Sequence, residues 1–160
     1  MKITAHEEYG LRMILRLAKL QAQEDRLISL NEIAELEGIS PENTAAVLSK
    51  LRDADLIESV RGKFGGYKLT RTPDQITLYQ IVNGISKDTF DINFCDTHSG
   101  NKETCVHNTD CSVRSVWSSV SSMVNNFLDS ITLEKLMQKE MDFTSELQSS
   151  LDLKEVLENV

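Results

Sequence analysis

The sequence predicts a mainly α fold with a small β-hairpin: a winged helix-turn-helix domain followed by one long helix suited to dimerisation. Three observations lead there. Capping residues mark three successive helices before Asp55. Two short runs with glycines between them follow at once. A later stretch repeats apolar residues by threes and fours in a narrow seam.

The first helix starts at Thr4, which with Glu7 forms a capping box, each side chain satisfying an orphan backbone N–H. Leu11, Ile14, Leu15 and Ala18 then recur at helical spacing as the expected core stripe, with Arg12, Arg16 and Lys19 on the polar side. Residues 21–26 are polar and read as a loop. Ser29 and Glu32 repeat the capping-box pattern ahead of Ile33, Ala34 and Leu36, and Gly38 stops this second helix because glycine takes the left-handed conformation cheaply. Ser40 caps a third helix with Pro41 at its first position, where the missing N–H costs nothing. Val47, Leu48 and Leu51 form its buried face. The short turn at Gly38-Ile39-Ser40 makes the pair a helix-turn-helix.

After Asp55 residues 56–60 and 66–70 read as two strands joined by Arg61-Gly62-Lys63-Phe64-Gly65-Gly66, a basic hairpin. A helix-turn-helix with such a hairpin is the pattern of a winged helix. Residues 77–85 follow as a short amphipathic helix. Residues 86–110 are polar and aperiodic; an irregular segment of that length is usually functional or disordered. Val113, Val116, Trp117, Val120, Val124, Phe127, Leu128 and Ile131 then trace a coiled-coil-like seam over 112–130. The expected organisation is a winged-helix DNA-binding domain over 1–85, a cysteine-bearing loop over 86–111, a dimerisation helix over 112–137 and an acidic tail over 138–160.

Composition narrows the function classes. Of 160 residues 40% are apolar and 26% charged, an ordinary globular balance. No apolar run reaches the roughly 20 residues of a membrane span, and the first residues lack a signal-peptide core, so the expectation is a cytoplasmic protein with no membrane partner. The net charge of −8 lies entirely in the second half, since residues 1–71 balance eleven basic against eleven acidic groups. Residues 50–71 are locally basic, and polyanions respond to the local patch. No nucleophile–base pair, phosphate loop or paired-acid motif appears, which argues against an enzyme.

Two constellations remain. For double-stranded DNA, the exposed N-terminal end of the third helix offers Ser40, Asn43, Thr44 and Lys50, and the wing offers Arg61 and Lys63 for phosphate or the minor groove. Glu42 opposes phosphate; it suits a cytosine amino group or the helix dipole. The same fold used for protein contacts is the alternative. The second constellation is Cys95, Cys105 and Cys111. Three is an odd count, so they cannot all pair internally. They sit among polar neighbours, where soft thiolates suit an iron–sulfur cluster or zinc. His98 and His107 lie in the same loop as candidate fourth ligands, with solvent-exposed loop histidines as the plainer reading.

These segments, in order, resemble the winged-helix regulator family that includes IscR, NsrR and RirA. The resemblance rests on Tyr9-Gly10-Leu11-Arg12, Ile28-Ser29-Leu30-Asn31-Glu32-Ile33-Ala34, Leu48-Ser49-Lys50-Leu51-Arg52 and the wing Arg61-Gly62-Lys63-Phe64-Gly65-Gly66-Tyr67. Three cysteines ahead of Trp117 complete it. It implies a homodimeric repressor on promoter DNA, regulated through a 2Fe–2S or 4Fe–4S cluster on Cys95, Cys105 and Cys111 that senses NO, redox state or iron. In one branch a histidine ligand follows the third cysteine by three residues; here that position is Arg114. Another branch uses a carboxylate at the position of Glu8 from the opposite subunit, which makes Glu8 the expected fourth ligand. A surface pair between Glu8 and Arg12 is the plain alternative for that side chain. A thiol or zinc switch without iron is the alternative function.

Overall fold

A computed structural model describes residues 3–86, 99 and 101–150. The first helix, α1, runs Ala5–Gln23 with both halves of the Thr4–Glu7 capping box formed. Its buried face is Gly10, Met13, Ile14, Leu17 and Ala18. The stripe is therefore rotated from the expected one: Leu11 and Leu15 are only half-buried at its edge. Gly10 admits that rotation, because a Cβ there would lie 2.2 Å from Ile85 Cδ1.

Helix α2, Leu30–Glu37, is capped by Ser29, whose Oγ accepts from the Glu32 N–H. The reciprocal half of the expected box is lost to a rival. Glu32 accepts instead from Arg26 Nη1 and Nη2 at 2.9 and 2.6 Å, and these bonds hold its carboxyl below the usual range. Gly38 ends the helix at φ 66°, ψ 35°, a conformation that costs a Cβ-bearing residue roughly 1 kcal/mol. Helix α3, Pro41–Asp53, begins after Ser40, whose Oγ accepts from the Asn43 N–H at 3.3 Å.

Strands β1, Ile57–Val60, and β2, Gly66–Leu69, pair antiparallel with Ile57 opposite Leu69 and Val60 opposite Gly66. A third segment joins them unannounced by the sequence. Ile28 exchanges both backbone hydrogen bonds with Tyr67, at 3.1 and 2.8 Å. This explains Gly66: a Cβ there would sit 2.6 Å from the Ile28 carbonyl oxygen, which is backbone and cannot yield.

A 3₁₀ turn, Pro73–Gln75, leads to α4, Leu78–Ile85, capped by a Thr77–Gln80 box. Helix α5 runs Ser112–Asp129, α6 Leu133–Leu136 and α7 Glu140–Ser150. The stretch expected as an acidic tail thus begins with a helix. The chain after α5 is sewn back onto the winged unit: the Leu78 N–H donates to Ile131 O and the Leu133 N–H to Ile76 O, both at 2.8 Å. Leu133 sits fully buried in one core with Met13, Ile14, Leu17, Ile28, Leu48, Leu51 and Ile81. The end of the stretch 112–137 thus contributes Leu133 to the core of the winged-helix unit. Among the described residues no helix is long and apolar enough to cross a membrane.

Candidate nucleic-acid interface and thiol loop

The helix-turn-helix is held at its turn by a buried carboxylate. Glu37, the last residue of α2, keeps 4% of its side chain exposed and accepts from Arg12 Nε at 2.9 Å and Arg16 Nε at 2.7 Å. Arg12 Nη2 also donates to the Glu37 carbonyl at 2.9 Å, so α1 grips the residue beside Gly38 through both side chain and backbone. Arg12 is thus engaged away from Glu8, and the surface pair between them is not formed. Glu8 is exposed on α1, and no ion pair among the described residues involves it. Because Glu8, Arg12 and Arg16 recur every fourth residue, one face of α1 carries the free carboxylate at one end and the grip on α2 further along.

On α3, Ser40 and Asn43 are exposed and Lys50 is half-buried. Thr44 requires a correction. Expected as an exposed contact, it is completely buried, with its Oγ1 lacking a hydrogen-bond partner. Thr44, Val47, Leu48 and Leu51 form the inner stripe of α3, so position 44 faces the core whatever its polarity. The outward surface near the helix start is Glu42, Asn43, Ala45 and Ala46.

On the wing, Arg61 and Lys63 are exposed. Among the described residues no ion pair occupies Lys50, Arg61 or Lys63. Lys68 is different. It pairs across the strands with Glu58 at 2.8 Å, and that hydrogen bond raises its pKa. The hairpin tip and Lys50 are thus among the places where positive charge is left unpaired.

The thiol loop is described in part; Cys95 and His98 lie outside the described residues. Cys105 and Cys111 are free, partly exposed thiols. Cys111 is the N-cap of α5, and its Sγ accepts from the Arg114 N–H at 3.4 Å. Arg114, read from the sequence only as a non-ligand, holds the backbone of the loop. Its Nη2 donates to His107 O at 3.2 Å and to Asn108 O at 2.7 Å, which braces the stretch between the two thiols. The His107 residue is exposed. No group of three or more His, Cys, Asp or Glu is gathered for a metal among the described residues. Two soft thiols, one facing a backbone N–H at a helix start, nonetheless suit iron–sulfide or zinc ligation in their donor chemistry.

Helix α5 leaves the first part of its seam exposed, whereas Val124, Phe127 and Leu128 are half-buried. Val113, Val116, Trp117, Val120 and Met123 are between 46% and 63% exposed, while Ser121 faces inward. Met123 and Ser121 are not singled out by the sequence pattern, which marks the apolar seam but not which side its own domain covers.

The family model described as Rrf2, an iron-dependent transcriptional regulator, matches residues 3–139. The chain is 36% identical over 137 residues to the HTH-type transcriptional regulator IscR of Aliivibrio salmonicida, covering 86% of this chain and 77% of that one. It is 31% identical over 154 residues to NsrR of Halalkalibacterium halodurans, covering 96% and 99%. Among solved structures it is similar to CymR, the global cysteine regulator of B. subtilis. The TM-score is 0.66 at 31% identity, covering 86% of this chain and 96% of that one.

Proposed function

Since this chain belongs to the Rrf2 family of winged-helix transcriptional regulators, a DNA-binding family and not an enzyme family, we propose that it is a homodimeric repressor. In this reading its promoter affinity is governed by an iron–sulfur cluster on Cys95, Cys105 and Cys111, with Glu8 of a second copy as fourth ligand. One observation carries the reading: Cys111 caps the same helix whose apolar face is left uncovered. A helix that presents Val116, Trp117 and Val120 to a second copy brings its capping thiol to that junction. Glu8, which has no ion pair among the described residues, would ligate there.

When bound, the cluster supplies iron able to take up a small ligand such as NO or O2, or to change oxidation state. The residues of this chain carry the rest. Glu8 stands one turn before Arg12 and two before Arg16, and these arginines hold Glu37 beside the helix-turn-helix turn. Releasing Glu8 would let α1 shift, and the grip on Glu37 would pass that shift to α3. Such coupling is typically 1–3 kcal/mol. Ser40, Asn43 and Lys50 would meet the major groove, and Arg61 and Lys63 the adjoining backbone or minor groove.

The test is anaerobic purification of the full chain with its visible spectrum, iron and inorganic sulfide content, before and after NO. Glu8→Ala is expected to keep the fold and lose the wild-type cluster spectrum; an unchanged spectrum and unchanged response to NO remove Glu8 from the site. The free, partly exposed thiols of Cys105 and Cys111 also support a second reading, a cysteine switch without iron. Colourless, iron-free preparations whose DNA affinity still changes on oxidation would favour that one.

A further inference from the structure

Phe64 is the most exposed large apolar side chain among the described residues, at 86%. A lone surface aromatic is ordinary, but the backbone beneath this one is built to hold it out. Gly62 adopts φ 130°, and the Gly65 N–H closes the tip onto Gly62 O at 3.0 Å. A Cβ on Gly65 would lie 2.3 Å from the Val60 carbonyl oxygen, and one on Gly66 2.6 Å from that of Ile28. The hairpin is thus closed tightly underneath, and only positions 63 and 64 bear side chains at its end. The Lys63 ammonium lies 5.7 Å from the Phe64 ring centroid, so ring and charge are presented together.

The surroundings specify the occupant. Residues 59–66 contain Arg61 and Lys63 and no carboxylate, which selects a polyanion. A flat ring on a cationic tip matches the gap between stacked bases better than it matches a protein surface, which would reward a wider apolar patch. With α3 in the major groove, the wing falls over the neighbouring minor groove, where apolar side chains can enter a base step and partly unstack it.

We propose that Phe64 is a wedge that enters one minor-groove base step beside the segment contacted by α3. Sequence preference then arises at a step with no hydrogen-bonded base contact, because flexible pyrimidine–purine steps open most cheaply. This inference rests on the DNA-binding reading above.

The test uses the full-length anaerobic protein and a duplex that it selects from a randomised pool. 2-Aminopurine is placed in turn at positions flanking the central contacts. Wild type and Phe64→Leu are expected to brighten the probe at one position, and Phe64→Ala to leave it dark. Phe64→Ala is also expected to bind about tenfold more weakly with an unchanged salt dependence, because no phosphate contact is lost. Arg61→Ala and Lys63→Ala should each reduce the salt slope by about one. If no position brightens with wild type, or Phe64→Ala binds and brightens like wild type, the wedge is overturned. The cation variants then still report DNA binding. If no duplex is selected, the DNA-binding reading fails and the wedge with it.

Discussion

Glu37 shows how unevenly a buried ion pair responds to losing its members. Its carboxylate is enclosed, whereas the Arg12 and Arg16 side chains are about two-fifths exposed. Removing the carboxylate leaves two guanidinium groups that can return to water. Removing both arginines strands a charge in the interior. Glu37→Gln is therefore expected to cost about 1 kcal/mol and Arg12→Ala with Arg16→Ala about 3 kcal/mol, measured by urea unfolding. Thr44 is a smaller case of the same accounting. Its hydroxyl is buried without a partner, so Thr44→Val should leave stability unchanged or raise it by about 1 kcal/mol in the same assay. Glu32 carries a pH signature. Arg26 depresses its pKa mainly by hydrogen bonding, so the pair stabilises the fold above the unfolded glutamate value of about 4.3. That contribution is lost as pH falls through the folded value. The pair is largely solvated, so Arg26→Gln should flatten the acid limb of the stability curve only slightly. None of these partnerships is legible in the sequence: Arg12 and Glu37 are far apart along the chain, and the polarity of Thr44 points outward while its spacing from Val47, Leu48 and Leu51 points inward.

At the level of elements, starts and stops are readable because they are local chemistry. Thr4, Ser29 and Ser40 all accept the backbone N–H expected of a cap, and Gly38 takes the left-handed turn. The bridge from Ile28 to Tyr67 is not readable, because one isolated pair leaves no alternating pattern. Cys111 adds a cap of another kind. Serine is the better capping residue, so Cys111→Ser should keep or slightly raise the thermal midpoint while abolishing the proposed cluster signal. A matching loss of both would make the thiol's role structural. Helix α5 makes the plainest prediction. Val116→Asp is expected to convert the proposed dimer to a monomer in sedimentation without changing the far-ultraviolet spectrum, because Val116 is 59% exposed in the single chain.

Across the whole molecule, the division of charge is visible from composition, and its meaning comes from position. Four cations of the first half, Arg12, Arg16, Arg26 and Lys68, are spent on Glu37, Glu24, Glu32 and Glu58, whereas Arg61 and Lys63 on the wing have no ion pair among the described residues. Ile131 and Leu133 are legible in the sequence as apolar, but their burial, and the place of Leu133 in a core formed by residues far away along the chain, are not. The hydrogen bonds joining Ile76 to Leu133 and Ile131 to Leu78 have one more effect. They pinch the chain into a closed ring whose far side is the cysteine-bearing segment. The entropy of such a ring grows only logarithmically with its circumference, so doubling it costs about 0.6 kcal/mol. That segment is thus free to be lengthened and re-equipped with little thermodynamic penalty to the fold that fastens its ends.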